Sequence, residues 1–277
     1  MSRPAVLAVL LCLGLVSPAL TADEPSARAR LHQVQPVAAA EANERAEIRV
    51  GREVAARILA RHDLYPDEDL QRYVNRLGVA LALHGSRPDL SFHFGVIDSD
   101  QVNAYAAPGG YIFITRAALA LMEDEAELAA VLAHEIAHVD RRHIVEALGI
   151  RAPESSPMAG LTRFFGGATE VAQVFFSQAV DQVLTVLFEE GLRREDEFQA
   201  DQDGLLLASR AGYDPDGLGR FLTRLSEMES SRTIDEMAHT HPATGERLER
   251  LAAVKAQEGL GDFEGLRRKA RFQRHVP

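Results

Sequence analysis

The chain carries a single cysteine, Cys12, and no thiol after it. Disulfide cross-links are therefore excluded, and any metal must be held by nitrogen and oxygen. Basic residues are in deficit: 30 Lys and Arg stand against 41 Asp and Glu, a net charge of −11. Nucleic acid wants a basic face, so it is excluded as a partner. Past the first residues there is no uninterrupted apolar run of membrane-spanning length. The most apolar stretch, 149–190, is broken by Arg163, Glu170 and Asp181. Internal repeats are absent too. What remains, 46% hydrophobic and 26% charged in 277 residues, is the composition of a folded domain of good size.

The first 22 residues read as a secretory signal peptide: Arg3, then an apolar run from Ala5 to Val16, then the small-residue exit Ser17–Ala22. An uncleaved membrane anchor is the alternative. Leu11 before Cys12 argues against lipidation. Cleavage would remove the cysteine, and export places the mature chain in an oxidising compartment without disulfides. Residues 23–40, rich in Ala and Pro, read as a linker.

Residues 134–138 are His-Glu-Ile-Ala-His. On a helix His134 and His138 lie one turn apart on one face, so both imidazoles can grip one ion. Glu135 sits about 100° around the helix, where a general base for a water beside the metal belongs. The flanking residues Leu128, Ala129, Val131, Leu132, Ile136 and Val139 make this helix apolar and therefore buried. Buried imidazoles need a partner, which a metal supplies. Asp124 with Glu127 forms a capping box at its start.

A catalytic zinc takes three protein ligands and leaves one position open. The pattern with a third histidine six residues after the pair is excluded, because Ile144 stands there and Arg141 replaces the required glycine. His143 is one residue short. On a continuous helix it points about 180° from His134 and reads as a second-face or capping histidine. Downstream, Glu197 and Asp201 are four apart on one helical face. A glutamate can complete the ligand set, and an aspartate one turn on can accept the N–H of a ligating histidine. Arg194, one turn before Glu197, is placed to steady the acidic cluster. On spacing alone the block also reads as a solvated acidic face; only the histidine pair lifts it to a ligand candidate.

Hydrophobic spacing predicts helices over 41–62, 68–84, a start at 118–122, 125–148, 193–211, 215–230 and 244–257, and strands over 92–97 and 111–115. Few strands among many helices makes an α+β protein with a small sheet beside the helices. The 149–190 stretch reads either as amphipathic helices packed on the core or as a flap over a cleft. Residues 259–277 carry Arg267, Arg268, Lys269, Arg271 and Arg274, a basic tail that is solvated or loosely drawn to anionic lipid.

Four blocks, in order, resemble the gluzincin-type zinc metallopeptidases of the group that holds HtpX, the CAAX prenyl proteases and periplasmic members such as BepA and LoiP, peptidase family M48. They are Asn103–Phe113 with its Pro-Gly-Gly, His134–His143, Arg194–Gly204 with Ala211–Pro215, and Thr240-His241-Pro242 with Glu246-Arg247. Ala117-Ala118 departs from the glycine often found there.

The resemblance implies a mostly helical zincin-like domain over 41–258. It implies one Zn²⁺ per chain on His134, His138 and Glu197, with Glu135 catalytic and Asp201 orienting a ligand. It implies that His241 near the metal donates to the oxyanion or fills the open position. Residues Asn103, Ala104, Tyr105, Gly109 and Gly110 would bind substrate by strand addition; an ordinary hairpin is the alternative. His239 is the weaker of the two loop histidines. Missing spanning helices point to the periplasmic branch. The expected function is a zinc endopeptidase acting on unfolded or misfolded cell-envelope proteins, the alternative a zinc-bound periplasmic chaperone or assembly factor.

Overall fold

The computed structural model describes residues 27–150, 170–228 and 240–276. The expected signal peptide, residues 151–169 of the apolar stretch and His239 lie outside them. The chain divides into Met1–Ala38 and a compact unit, Ala39–Pro277, and the packing described below is that of the second.

Helix α1 (Ala27–Arg61) begins well before residue 41, so residues 27–40 are helical and not an irregular linker. Alanine, the strongest helix former, recurs there at 27, 29 and 38–40 and outweighs Pro36. Helix α2 (Glu68–Ala82) follows, capped by the Asp67 carboxylate accepting from the Leu70 N–H. Three strands come next: β1 (His93–Ile97), β2 (Ala104–Ala107) and β3 (Tyr111–Thr115). Their spatial order is β1-β3-β2. Strand β3 is parallel to β1, with His93 beside Tyr111, and antiparallel to β2, with Ala104 beside Ile114. Among the described residues strand β2 is therefore an edge.

Pro108-Gly109-Gly110 turns β2 into β3 in three residues. Gly109 has φ +72 and Gly110 φ +89, a backbone that side chains resist. The sheet is buried on both faces, and its side chains alternate with period two. Val96, Ala106, Ile112 and Ile114 join α2 and the helices beyond. Ile97, Tyr105, Ala107 and Phe113 pack with α1.

After α3 (Arg116–Leu121), helix α4 (Glu125–Asp140) runs through the centre of the molecule, buried at every residue from Glu125 to Val139. Its start is capped as expected. The Asp124 carboxylate accepts from the Glu127 N–H at 3.1 Å, and Glu127 accepts from the Glu123 N–H at 3.0 Å. Its end departs from expectation. The helix does not run to 148 but breaks at Arg142, which takes a left-handed conformation (φ 57, ψ 34) before α5 (His143–Ala147). A buried carboxylate on α1 accounts for the break. Glu47 accepts from Arg142 Nε at 3.0 Å and from Arg87 Nη1 at 2.7 Å, while Arg87 Nη1 also donates to the Val139 carbonyl at 3.1 Å. The freed helix end thus finds side-chain donors. Glu47 also accepts the Gly109 N–H at 3.1 Å, tying the hairpin turn to the same anchor.

Helix α6 (Glu170–Thr185), continued by a wider turn over Val186–Glu190, buries Val180, Val183, Leu184 and Val186 against α1 and the sheet. This part of the apolar stretch packs on the core. Helices α7 (Arg194–Arg210) and α8 (Gly217–Glu227) then pack on α4, and α9 (Thr244–Gln257) packs on α7 and α8. The basic C-terminus is not a free tail. It forms α10 (Lys269–His275), which buries Phe272 and places Arg271 in an ion pair with fully buried Glu125, a carboxylate also held by Tyr73 and Tyr213. No helix among the described residues is long and apolar enough to cross a membrane.

The contact that matters most for the site is α7 on α4. A Cβ at Gly204 would stand 2.8 Å from the His134 nitrogen and 2.9 Å from its Cα, both backbone atoms that cannot swing aside. Only glycine permits this approach. Gly204→Ala should push the helices apart and cost about 1–3 kcal/mol of stability, the range for overpacking. Urea unfolding of the metal-free protein checks this.

Candidate metal centre

The close approach of α7 to α4 brings Glu197 over the histidine pair. His134 Nε2 and His138 Nε2 are 3.1 Å apart. Glu197 lies 3.7 Å from the first through Oε2 and 3.5 Å from the second through Oε1. Four-coordinate zinc with bonds near 2.05 Å wants ligand atoms about 3.3 Å apart, so the three donors have the right separation. All three side chains are buried. Among the described residues they are the group of histidines and carboxylates whose atoms converge closely enough to hold an ion.

Glu197 Oε2 is buried and has no hydrogen-bond partner. Burial pushes the Glu197 carboxyl up to about 7, because a desolvated carboxylate disfavours its charge. Burial, followed by the neighbouring His134 and His143, holds His138 well below the usual imidazole range, which favours its neutral form. Orphaned oxygen, neutral imidazole and convergent geometry all fit a bound cation.

The remaining expected site residues fall in three groups. Asp201, expected to orient a ligand, has Oδ1 2.9 Å from His134 Nδ1. Glu135 is buried beside the cluster, one position around the helix, and burial raises its carboxyl above the ordinary range. His241 reaches the centre, Nε2 standing 3.5 Å from Glu197 Oε2, with its Nδ1 3.0 Å from the Thr240 hydroxyl.

The edge strand borders the same place. Ala104 and Ala106 line a cavity together with Glu135, His138, Glu197 and His241. Asn103 lines a second cavity, with Ala104, His134, Glu135 and His241. Its carbonyl oxygen accepts the Ala104 N–H, while its buried Nδ2 has no hydrogen-bond partner.

Four expected residues do not reach the site. The Tyr105 ring turns to the opposite face of the sheet and packs on Phe188, ring centres 4.8 Å apart, because alternate residues of a strand face opposite ways. Gly109 is buried against Ile48 of α1 and Gly110 against the Leu90–Phe92 segment, and both serve the turn. Arg194 is 63% exposed, pairs with Glu246 and leaves Glu197 alone. A helical residue one turn before another need not turn toward it when solvent and a competing carboxylate lie outward.

The sequence reading left two residues without their roles here. Arg247, on α9, donates two hydrogen bonds to Asp201, at 2.8 and 2.7 Å, both side chains fully buried. Burial pushes the Asp201 carboxyl up, but the Arg247 guanidinium and the contact with His134 outweigh it and hold it well below the carboxylate range. Arg247 stands in a block already singled out, yet only its burial reveals its partner. The other is His143, which the break at Arg142 swings back to His138, with the two Nδ1 atoms 2.9 Å apart. No glycine or proline marks that break.

With this geometry in hand, comparison with known proteins is decisive on family. Residues 66–255 match the family model described as Peptidase family M48. The chain belongs to that family. It is 29% identical over 204 residues to the beta-barrel assembly-enhancing protease of Escherichia coli, covering 67% of this chain and 39% of the relative. It is 27% identical over 244 residues to the putative beta-barrel assembly-enhancing protease of Vibrio cholerae, covering 86% and 50%. It is 28% identical over 187 residues to the mitochondrial metalloendopeptidase OMA1 of Schizosaccharomyces pombe, covering 65% and 51%. The chain therefore spans about half or less of these relatives.

Arg247→Met leaves Asp201 buried without its counter-charge, which should cost about 3–5 kcal/mol at neutral pH. In the wild type, Asp201 stabilises the fold above the carboxylate's ordinary pKa, near 3.8, and that stability is lost as pH falls through the depressed folded value. In the variant the buried, unpaired carboxyl has a raised pKa and is relieved by protonation. The gap between the two proteins should be widest at pH 7 and narrow as pH falls, as read by unfolding of the metal-free proteins.

Proposed function

We propose that this chain is a zinc endopeptidase of the cell envelope that cleaves misfolded or unassembled proteins. One observation carries the reading: Ala104 and Ala106 of β2, an edge strand among the described residues, line one cavity with Glu135, His138, Glu197 and His241. An extended polypeptide can pair with such an edge through its own backbone, whatever its sequence. Ala104 and Ala106 present only methyl groups there, so a chain can approach closely.

Two imidazoles and one carboxylate are a donor set suited to zinc. When bound, zinc supplies an acidified water and polarises the scissile carbonyl. The protein's own groups do the rest. Glu135 takes a proton from the attacking water and delivers it to the leaving amine. His241 donates to the oxygen that gains negative charge. Asp201, braced by Arg247, holds the His134 ring with Nε2 toward the centre. The buried surroundings strengthen each of these interactions. The names of the Escherichia coli and Vibrio cholerae relatives, and the N-terminal segment, support an envelope location and the quality-control role, with the periplasm as the compartment.

Glu135→Gln separates this reading from a zinc-bound chaperone. Purified wild type should carry one zinc per chain and degrade casein. The variant should keep its zinc and lose casein degradation by roughly 10²- to 10⁴-fold, the contribution of a positioned proton-transfer group. Undiminished cleavage by the variant, or zinc-loaded wild type without cleavage, would contradict the proposal.

A further inference from the structure

We infer that His143 is a positioning residue for the metal centre: it fixes the ring of His138 through a hydrogen bond between the two Nδ1 atoms, with Gln199 fixing His143 in turn. The inference rests on the reading of His134, His138 and Glu197 as the metal ligands.

The two Nδ1 atoms are 2.9 Å apart, and the rings meet edge to face, 75° between their planes. Of two facing ring nitrogens one must donate and the other accept. The direction follows from the other end of each ring. His138 Nε2 is the atom that looks into the cluster, 3.1 Å from His134 Nε2 and 3.5 Å from Glu197 Oε1. A nitrogen offered to a metal carries no hydrogen, so the hydrogen of a neutral His138 resides on Nδ1. His138 Nδ1–H therefore donates to His143 Nδ1. His143 then carries its own hydrogen on Nε2, and that atom faces the Gln199 side-chain carbonyl oxygen at 3.4 Å. Each donor in the chain meets an acceptor, and reversing the chain would put a hydrogen on the atom that must bind the metal.

The two histidine ligands are thus held by different chemistry. His134 leans on the Asp201 carboxylate, braced by Arg247. His138 leans on an uncharged imidazole. An anionic anchor on both would add negative charge to a pocket already holding Glu135, Glu197 and Asp201. The neutral one fixes the tautomer without it. The device depends on the left-handed turn at Arg142, which returns His143 to the face of α4 that a continuous helix would have denied it.

The test measures Zn²⁺ affinity by competition with a chromophoric chelator, together with the unfolding temperature of the metal-free proteins. His143→Phe, which keeps an aromatic ring and loses the acceptor, should bind Zn²⁺ about 10- to 100-fold more weakly, the range for loss of a partner behind a ligand. His143→Asn, whose side-chain oxygen can stand where Nδ1 stood, should recover most of that loss. Both should unfold metal-free within a few degrees of each other. Zn²⁺ bound by His143→Phe as tightly as by wild type overturns the inference, as does His143→Asn binding no better than His143→Phe. Should His143→Phe not fold, nitrogen-15 spectra of the Zn²⁺-loaded wild type decide: a hydrogen on His138 Nδ1 and none on His143 Nδ1 supports the assignment, and the reverse overturns it. A wild type that binds no Zn²⁺ overturns this inference and the metal reading together. Tight wild-type binding with an indifferent His143→Phe overturns this one alone.

Discussion

The close contact of two helices, α4 and α7 at Gly204, governs the rest of the structure. It places one helix's carboxylates within reach of the other's imidazoles in a buried region. Burying Glu135, Glu197 and Asp201 together is unfavourable unless cations answer them. Arg247 answers Asp201 with two hydrogen bonds. Glu197 has no such arginine, and its unpartnered oxygen faces the histidine pair. The protein thus supplies one counter-charge from its own chain, and the other is one that a cation held by the His134, His138 and Glu197 cluster would supply.

Both ends of α4 are pinned by buried carboxylates from within or beside it. At the start, Glu125 gathers Tyr73, Tyr213 and Arg271, so that α2, the loop after α7 and the C-terminal helix all meet there. At the far end, Glu47 gathers Arg87, Arg142 and the Gly109 N–H. That second cluster couples the break after α4 to the turn between β2 and β3. The same side chain therefore bears on the placing of His143 and on the placing of the edge strand. A central helix fixed at both ends gives a rigid base for ligands that must keep separations near 3–4 Å.

Much of this was legible in the chain because it is written in local spacing. The His-Glu-x-x-His helix, the Asp124 cap, the pair at 197 and 201, and strands β1 and β3 all announce themselves through periodicity or a motif. What escaped notice depends on partners distant in sequence. Residues 27–40 read as a linker by composition, although their alanines favour helix. Nothing local warns that the helix breaks at Arg142, since the break answers to Glu47, far away on α1. Arg194 looked well placed by spacing but turns to Glu246, whereas Arg247, with no spacing relation to residue 201, provides the buried charge. Most basic residues at the C-terminus are exposed, as their composition implies, but the pairing of Arg271 with buried Glu125 is not legible, because the two lie 146 positions apart.

The central claim is that two imidazoles on α4 and one carboxylate on α7 share a single cation. Diffraction recorded on either side of the zinc absorption edge, from crystals grown without added metal chelator, tests it most directly. The account predicts one anomalous peak per chain about 2.0–2.2 Å from His134 Nε2, His138 Nε2 and a Glu197 oxygen. No peak among these atoms, or a peak that His143 or Asp201 contacts in place of Glu197, would contradict it.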